Sequence, residues 1–168
     1  TQKVILPDIV AQAKAHFGCD TMDGLELENQ GGSGSKGSHW ERRVMMNDYM
    51  TASVVGNPVV SSITFTLLEY SGWYKMTKMT PDCLVWGKGE GCGFINNKCI
   101  DANKQPIAHE FCATANKGGC SFDYLSKSAC QIAQWSSLPS AFNYFGNNQG
   151  SFDSFADGCP YQFAYSNG

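Results

Sequence analysis

A chain of 168 residues, 42% apolar and 12% aromatic, carries enough material for a compact fold with its own core. Its 12 basic residues against 15 acidic ones are scattered without a stripe, which argues against a surface built to neutralise nucleic-acid phosphates. The longest apolar runs, such as Val54-Val55 and Val59-Val60, are only a few residues long and fall far short of the roughly 20 that a membrane-spanning helix requires.

In chain order, the first predicted element is a helix over Pro7–Phe17. Pro7 sits in the first turn, where its missing N–H costs nothing, Ile9, Val10, Ala13 and Phe17 share one face, and Gly18 follows as a stop signal that delivers Cys19 to the core. His16 lies on this helix with no motif around it. Residues 31–38, GGSGSKGS, have the composition of a flexible linker. They lead at once into His39 and Trp40 and then Met45, Met46 and Met50, and glycine also serves where main chain must pass close to a metal or substrate. Linker and site-forming loop are both open at this point, because a lone histidine beside a tryptophan is more often packed or exposed than a ligand. Met45 and Met46 are expected to pack in the core, the commoner use of methionine.

Asn57-Pro58 predicts the start of a second helix, with Val59, Val60, Ile63, Leu67 and Leu68 as a stripe running to about Tyr70 before Gly72. That helix is expected to be largely buried. From Lys75 onward the periodicity is lost. Pro81, Pro106, Pro139 and Pro160, with many Gly/Asn pairs, predict short strands and turns, and no internal repeat is present.

Of the eight cysteines, Cys83, Cys92, Cys99, Cys112, Cys120 and Cys130 fall within 48 residues, with gaps of 9, 7, 13, 8 and 10. Zinc-finger sites need short C-x-x-C pairs, so this spacing favours disulfides and an oxidising compartment. Eight cysteines allow roughly a hundred pairings, so the count leaves connectivity open. The chain begins with neither a methionine nor a signal peptide, from which Thr1 is expected not to be the start of the gene product. The His109-Glu110 pair continues as Phe111-Cys112-Ala113, which lacks the second histidine of an H-E-x-x-H helix. It is expected to be a surface pair.

Several stretches together resemble one family. GGSGSKGSH with a methionine 11 residues after His39 in NDYMTA, GCGFINNKC, the cysteines at 112, 120 and 130, and the terminal DGCPYQFAYSNG are similar to leishmanolysin, the surface zinc endopeptidase family of the metzincin clan. The resemblance covers nearly the whole chain. It implies an α+β fold in which residues 1–74 are the C-terminal part of a metzincin-like catalytic domain with two helices, and residues 75–168 are a cysteine-rich subdomain of loops and short strands. By position, His39 matches the third zinc-ligating histidine and Met50 the methionine whose turn forms an apolar floor below the ligands.

The family's other two ligands and its general-base glutamate lie in an H-E-x-x-H helix, which this sequence lacks. No catalytic residue is therefore expected in the chain. Zinc would bind only with two further ligands from outside it, and the chain alone would be inert. The Pro7–Phe17 helix would belong to the end of the insertion that separates the family's second and third ligands. The resemblance implies the C-terminal portion of a zinc metalloendopeptidase that acts on peptide or protein substrates through metal-activated water. Its partner would be the N-terminal remainder of the same protein, and its location extracellular or on the cell surface.

Matching the cysteines in order, the resemblance also implies bonds Cys19 to Cys92, Cys99 to Cys159 and Cys112 to Cys130. The family counterpart of Cys120 pairs beyond the position of Gly168, and Cys83 has no counterpart, so both are expected to be unpaired or paired externally. A rival reading is a non-catalytic leishmanolysin-like module in an extracellular structural or adhesive assembly. A third is an independent disulfide-rich binding domain unrelated to proteolysis.

Overall fold

The computed structural model describes residues 1–77 and 80–165. The last three residues of the terminal motif, 166–168, thus lie outside the described residues. The chain has an α+β fold that divides into two compact units, Thr1–Cys92 and Gly93–Gly168.

The first unit begins with a two-residue strand, β1 (Lys3–Val4), antiparallel to β2 (Leu25–Glu26). Between them runs α1 (Pro7–Phe17), which buries Ile9, Ala13 and Phe17. Its end is closed by Gly18 at φ 68°, a left-handed conformation natural to glycine, whose N–H donates to the Lys14 carbonyl at 2.9 Å. Later chain satisfies further carbonyls of the last turn. Gly89 N–H donates to His16 O at 2.9 Å and Gly91 N–H to Phe17 O at 2.7 Å. The same segment places Trp86 wholly inside, with its indole N–H on the Arg43 carbonyl at 2.9 Å. Residues 80–92 therefore pack with the helical unit. The Cys19–Cys92 disulfide closes that unit on itself.

A one-turn helix, α2 (Arg42–Met45), was not foreseen, and α3 (Ser62–Tyr70) starts later than its sequence suggests. Asn57-Pro58 is not its beginning. Val59 is held in extended pairing with the chain near Asp48, with its N–H on Asn47 O at 2.8 Å and its carbonyl accepting from Tyr49 N–H at 2.7 Å. Helical geometry at Val59 would forfeit both bonds. The cap is instead Ser61, whose hydroxyl accepts from Thr64 N–H at 3.3 Å. Burial is also less than expected. Ile63, Thr64 and Phe65 are inside, Leu67 and Leu68 are half-buried, and beyond them Tyr70 and Trp73 are exposed.

The second unit opens with the short α4 (Cys92–Asn96), which runs in from the end of the first. Strands β3 (Gly118–Cys120), β4 (Lys127–Cys130) and β7 (Gln162–Ala164) form an antiparallel sheet in the order β3-β4-β7, and β5 (Ile132–Gln134) pairs with β6 (Gln149–Ser151). Disulfides Cys99–Cys159 and Cys112–Cys130 tie distant loops to these strands. Phe94 stacks on Phe111 at 5.5 Å, and Phe111 bridges Tyr161, a buried ring whose hydroxyl donates to Asp153 at 3.1 Å. Gly158 is required at its position. Its φ is 71°, and a Cβ there would lie 2.5 Å from the Phe142 carbonyl oxygen.

The expectation of a surface pair at His109-Glu110 holds for His109 only. Glu110 is 1% exposed, because it directly precedes Phe111 and Cys112, which anchor the chain in the core, and His109 Nδ1 lies 3.4 Å from its carboxylate.

Candidate metal centre

The glycine-serine stretch is a closed loop, and the linker reading fails. The chain leaves the β1-β2 pair at Leu27, which bridges Trp40, and returns one loop later on the opposite side. At the base, Glu28 N–H donates to His39 O and Gly37 N–H to Glu28 O, both at 2.9 Å. Inside, Ser35 and Lys36 N–H groups reach the Gly32 carbonyl at 3.0 and 3.1 Å, and Ser38 N–H reaches Ser35 O at 3.2 Å. Gly31 (φ 75°) and Gly37 (φ 76°) supply the left-handed residues these tight turns need.

His39 is half-buried at the end of this loop. Its Nδ1 lies 3.0 Å from Ser38 Oγ and 3.3 Å from the Ser35 carbonyl. The Ser38 hydroxyl also lies within hydrogen-bonding reach of the Gly34 and Ser35 carbonyls, at 3.3 and 3.2 Å. A carbonyl oxygen only accepts, so in the Ser35 contact Nδ1 is the donor, and Nδ1 is the ring nitrogen engaged by the loop. Nε2 makes no hydrogen bond among the described residues. An imidazole with one nitrogen pinned by its own loop and the other uncommitted has the arrangement of a zinc ligand, and the pinned side is the usual support of such a ligand.

The chain after His39 is tied directly to the methionine turn. Trp40 N–H donates to the Met50 carbonyl at 3.0 Å, and Trp40 bridges Thr51 in parallel. Met45 and Met46 are wholly buried, as expected of core methionines, whereas Met50 is half-buried. Met46 adopts φ 28°, a conformation rare for a residue with a Cβ. It is held there by its N–H on Arg42 O at 2.7 Å and by the Thr51 hydroxyl on its carbonyl at 3.2 Å.

Asp48 organises the turn, and sequence reasoning did not single it out. Its carboxylate is 2% exposed and accepts from Met50 N–H at 2.8 Å and Thr64 Oγ1 at 2.7 Å on one oxygen, and from Ser61 N–H at 3.2 Å on the other. Thr64 Oγ1 in turn accepts from the Trp40 indole N–H at 2.9 Å. An aspartate that accepts from the N–H two residues on is a recurrent turn device, so Asn47-Asp48 carried a local signal. Its bonds to Ser61 and Thr64 had none.

The remaining candidates lie elsewhere in the chain. His16 Nε2 donates to the Trp86 carbonyl at 2.8 Å, and burial, aided by the charge of Lys88, holds its pKa below the usual 6.5 although that hydrogen bond works the other way. Cys83 and Cys120 are exposed thiols in no disulfide, the former lining a cavity of about 170 Å³ with His16, Ser61, Asp82 and Lys88. The six other cysteines are paired as Cys19–Cys92, Cys99–Cys159 and Cys112–Cys130.

The chain is similar to known proteins along almost all of its length. Residues 2–168 match the family described as leishmanolysin, peptidase M8. A leishmanolysin-like peptidase of Drosophila pseudoobscura pseudoobscura is 36% identical over 178 residues, covering 94% of this chain and 26% of the relative. Leishmanolysin of Leishmania major is 30% identical over 161 residues, covering 95% of this chain and 27% of the relative. A leishmanolysin-like peptidase of Caenorhabditis elegans is 43% identical over 96 residues, or 57% of this chain and 14% of its own length. The chain thus spans about a quarter of the length of relatives that match it almost throughout. Matched along virtually all of its residues, the chain belongs to the leishmanolysin family of metallopeptidases.

Proposed function

We propose that this chain contributes the third zinc ligand, His39, and the supporting methionine turn to a zinc metalloendopeptidase whose other two ligands and general base come from the rest of the complete protein. The observation that carries the reading is the asymmetry of the His39 ring: Nδ1 is bonded within its own loop, and Nε2 is uncommitted. Zinc, when bound, supplies a Lewis acid that acidifies water and polarises a scissile carbonyl. The residues of this chain orient and exclude. Ser35 and Ser38 fix the direction of the imidazole, the Trp40 to Met50 bond holds the ligand-bearing strand on the turn, and the buried Met45 and Met46 keep water from the base.

The three disulfides suit an oxidising compartment, and no helix among the described residues is long and apolar enough to cross a membrane. We place the complete protein outside the cell or on its surface, with peptides or proteins as substrates, and the Cys120 partner in another part of the same polypeptide.

The test is His39→Ala in the complete, matured protein, with zinc measured by elemental analysis and hydrolysis by a fluorogenic peptide. Loss of both is expected, since removing one of three ligands removes affinity and geometry together. Retention of stoichiometric zinc by the variant would sink the assignment. A wild-type protein with neither zinc nor activity would support the non-catalytic assembly module.

A further inference from the structure

We infer that Asp48 and Thr64 are positioning residues for the metal centre, holding the His39 strand in register with the methionine turn. This inference rests on the reading of His39 as a zinc ligand. A buried carboxylate is costly unless its oxygens are satisfied, and Asp48 spends its acceptors on three different parts of the chain: the Met50 N–H in the turn, the Ser61 N–H at the start of α3, and the Thr64 hydroxyl one turn into that helix. Thr64 relays the connection. Its proton goes to Asp48, so its lone pairs face the Trp40 indole, and the chain Nε1–H to Oγ1–H to Oδ1 runs in one direction with every donor matched.

Trp40 directly follows His39, and it is clamped at two points. Its backbone N–H is on the Met50 carbonyl, and its indole, through Thr64, is on the same carboxylate that holds the Met50 N–H. The two clamps therefore end on one residue of the turn, Met50, from both sides of its backbone. A rotation of Trp40 would swing the His39 ring, and displacement of a ligand by a fraction of an ångström is enough to spoil a metal site. The Met50 N–H bond is a local turn bond, and its sharing of one carboxylate oxygen with the Thr64 hydroxyl is what couples that turn to α3 and to Trp40.

The experiment compares Thr64→Val with Thr64→Ser in the complete protein. Valine keeps the shape and removes the hydroxyl, and serine keeps the hydroxyl. Zinc affinity is read by chelator competition, ligand geometry by the visible spectrum of the cobalt-substituted protein, and fold by thermal denaturation. Thr64→Val is expected to bind zinc about 10- to 100-fold more weakly, the usual cost of losing a ligand's support, and to shift the cobalt bands, while Thr64→Ser stays near wild type. If Thr64→Val lowers the melting temperature but leaves affinity and spectrum at wild-type values, the pair is merely structural and the inference is overturned. Should Thr64→Val not fold, Asp48→Asn carries the same readouts. It preserves shape but sets an amide N–H against the Ser61 N–H or the Met50 and Thr64 donors, and unchanged zinc affinity and spectrum there would equally overturn the inference. His39→Ala separates the two levels: zinc kept by that variant breaks the ligand reading itself, whereas zinc lost there and kept at full affinity by Thr64→Val breaks only the positioning role.

Discussion

Residues 28–51 and residues 98–159 are both stretches with little regular structure, and they are held by different bonds. The first contains no cysteine. It is fixed by backbone bonds across the loop base and by three buried acids, Glu28, Glu41 and Asp48, at 1%, 0% and 2% exposure. The second is pinned by Cys99–Cys159 and Cys112–Cys130, with sequence separations of 60 and 18, and by strands of three or four residues. A cross-link restricts the unfolded chain and leaves local geometry loose, whereas several directional bonds to one carboxylate fix angles as well as distances. The stretch that carries His39 uses the second kind, and the cysteine-rich stretch uses the first.

That contrast breaks first at the disulfides. Replacing Cys99 and Cys159 by serine is expected to cost about 4 kcal/mol, from the loop-closure entropy of a 60-residue separation, measured by chemical denaturation. Zinc affinity of any molecules that remain folded is expected to be unchanged, since the His39 loop does not depend on that bond; a parallel loss of affinity would erase the distinction. A smaller effect is expected at the α3 cap. Ser61→Ala should cost about 1 kcal/mol by removing the hydroxyl that accepts from Thr64 N–H, read as a lowered urea midpoint with an unchanged slope.

The smallest effect is the pH response of His16. Its folded pKa lies below the unfolded 6.5, so the unfolded chain takes up the proton first, and stability is full above about pH 6.5 and falls as the pH drops from there through the folded value. Melting temperatures at about pH 7.5 and about pH 5.5 should therefore differ more for wild type than for His16→Gln. An equal difference in the two proteins would show that the acid sensitivity lies elsewhere.

Legibility in the sequence followed the range of the interactions. The helix α1 was readable because both of its stops, Pro7 and Gly18, are local signals. The start of α3 was not, because Asn57-Pro58 has the look of a cap, and only the pairing of Val59 with the Asn47 and Tyr49 backbone withdraws it from the helix. The burial of that helix was overread for a related reason: its stripe is apolar, but what covers a stripe is set by the rest of the fold, and here full burial ends at Phe65, with Leu67 and Leu68 only half-covered. Glu110 was misplaced because polarity alone argues for the surface, while the neighbouring Phe111 and Cys112 carry it inward. At the candidate site, His39 and Met50 stood out by motif and spacing. Asp48 and Thr64 could not, since their partners lie up to 24 residues away and meet only in the folded chain.

The central claim is that His39 presents Nε2 to a metal. A crystal structure of the complete protein with zinc tests it most directly. The account predicts His39 Nε2 at about 2.0–2.1 Å from the ion, with Nδ1 still facing the Ser35 carbonyl. A zinc ion ligated without His39, or an imidazole turned so that Nε2 packs against apolar side chains, would contradict it.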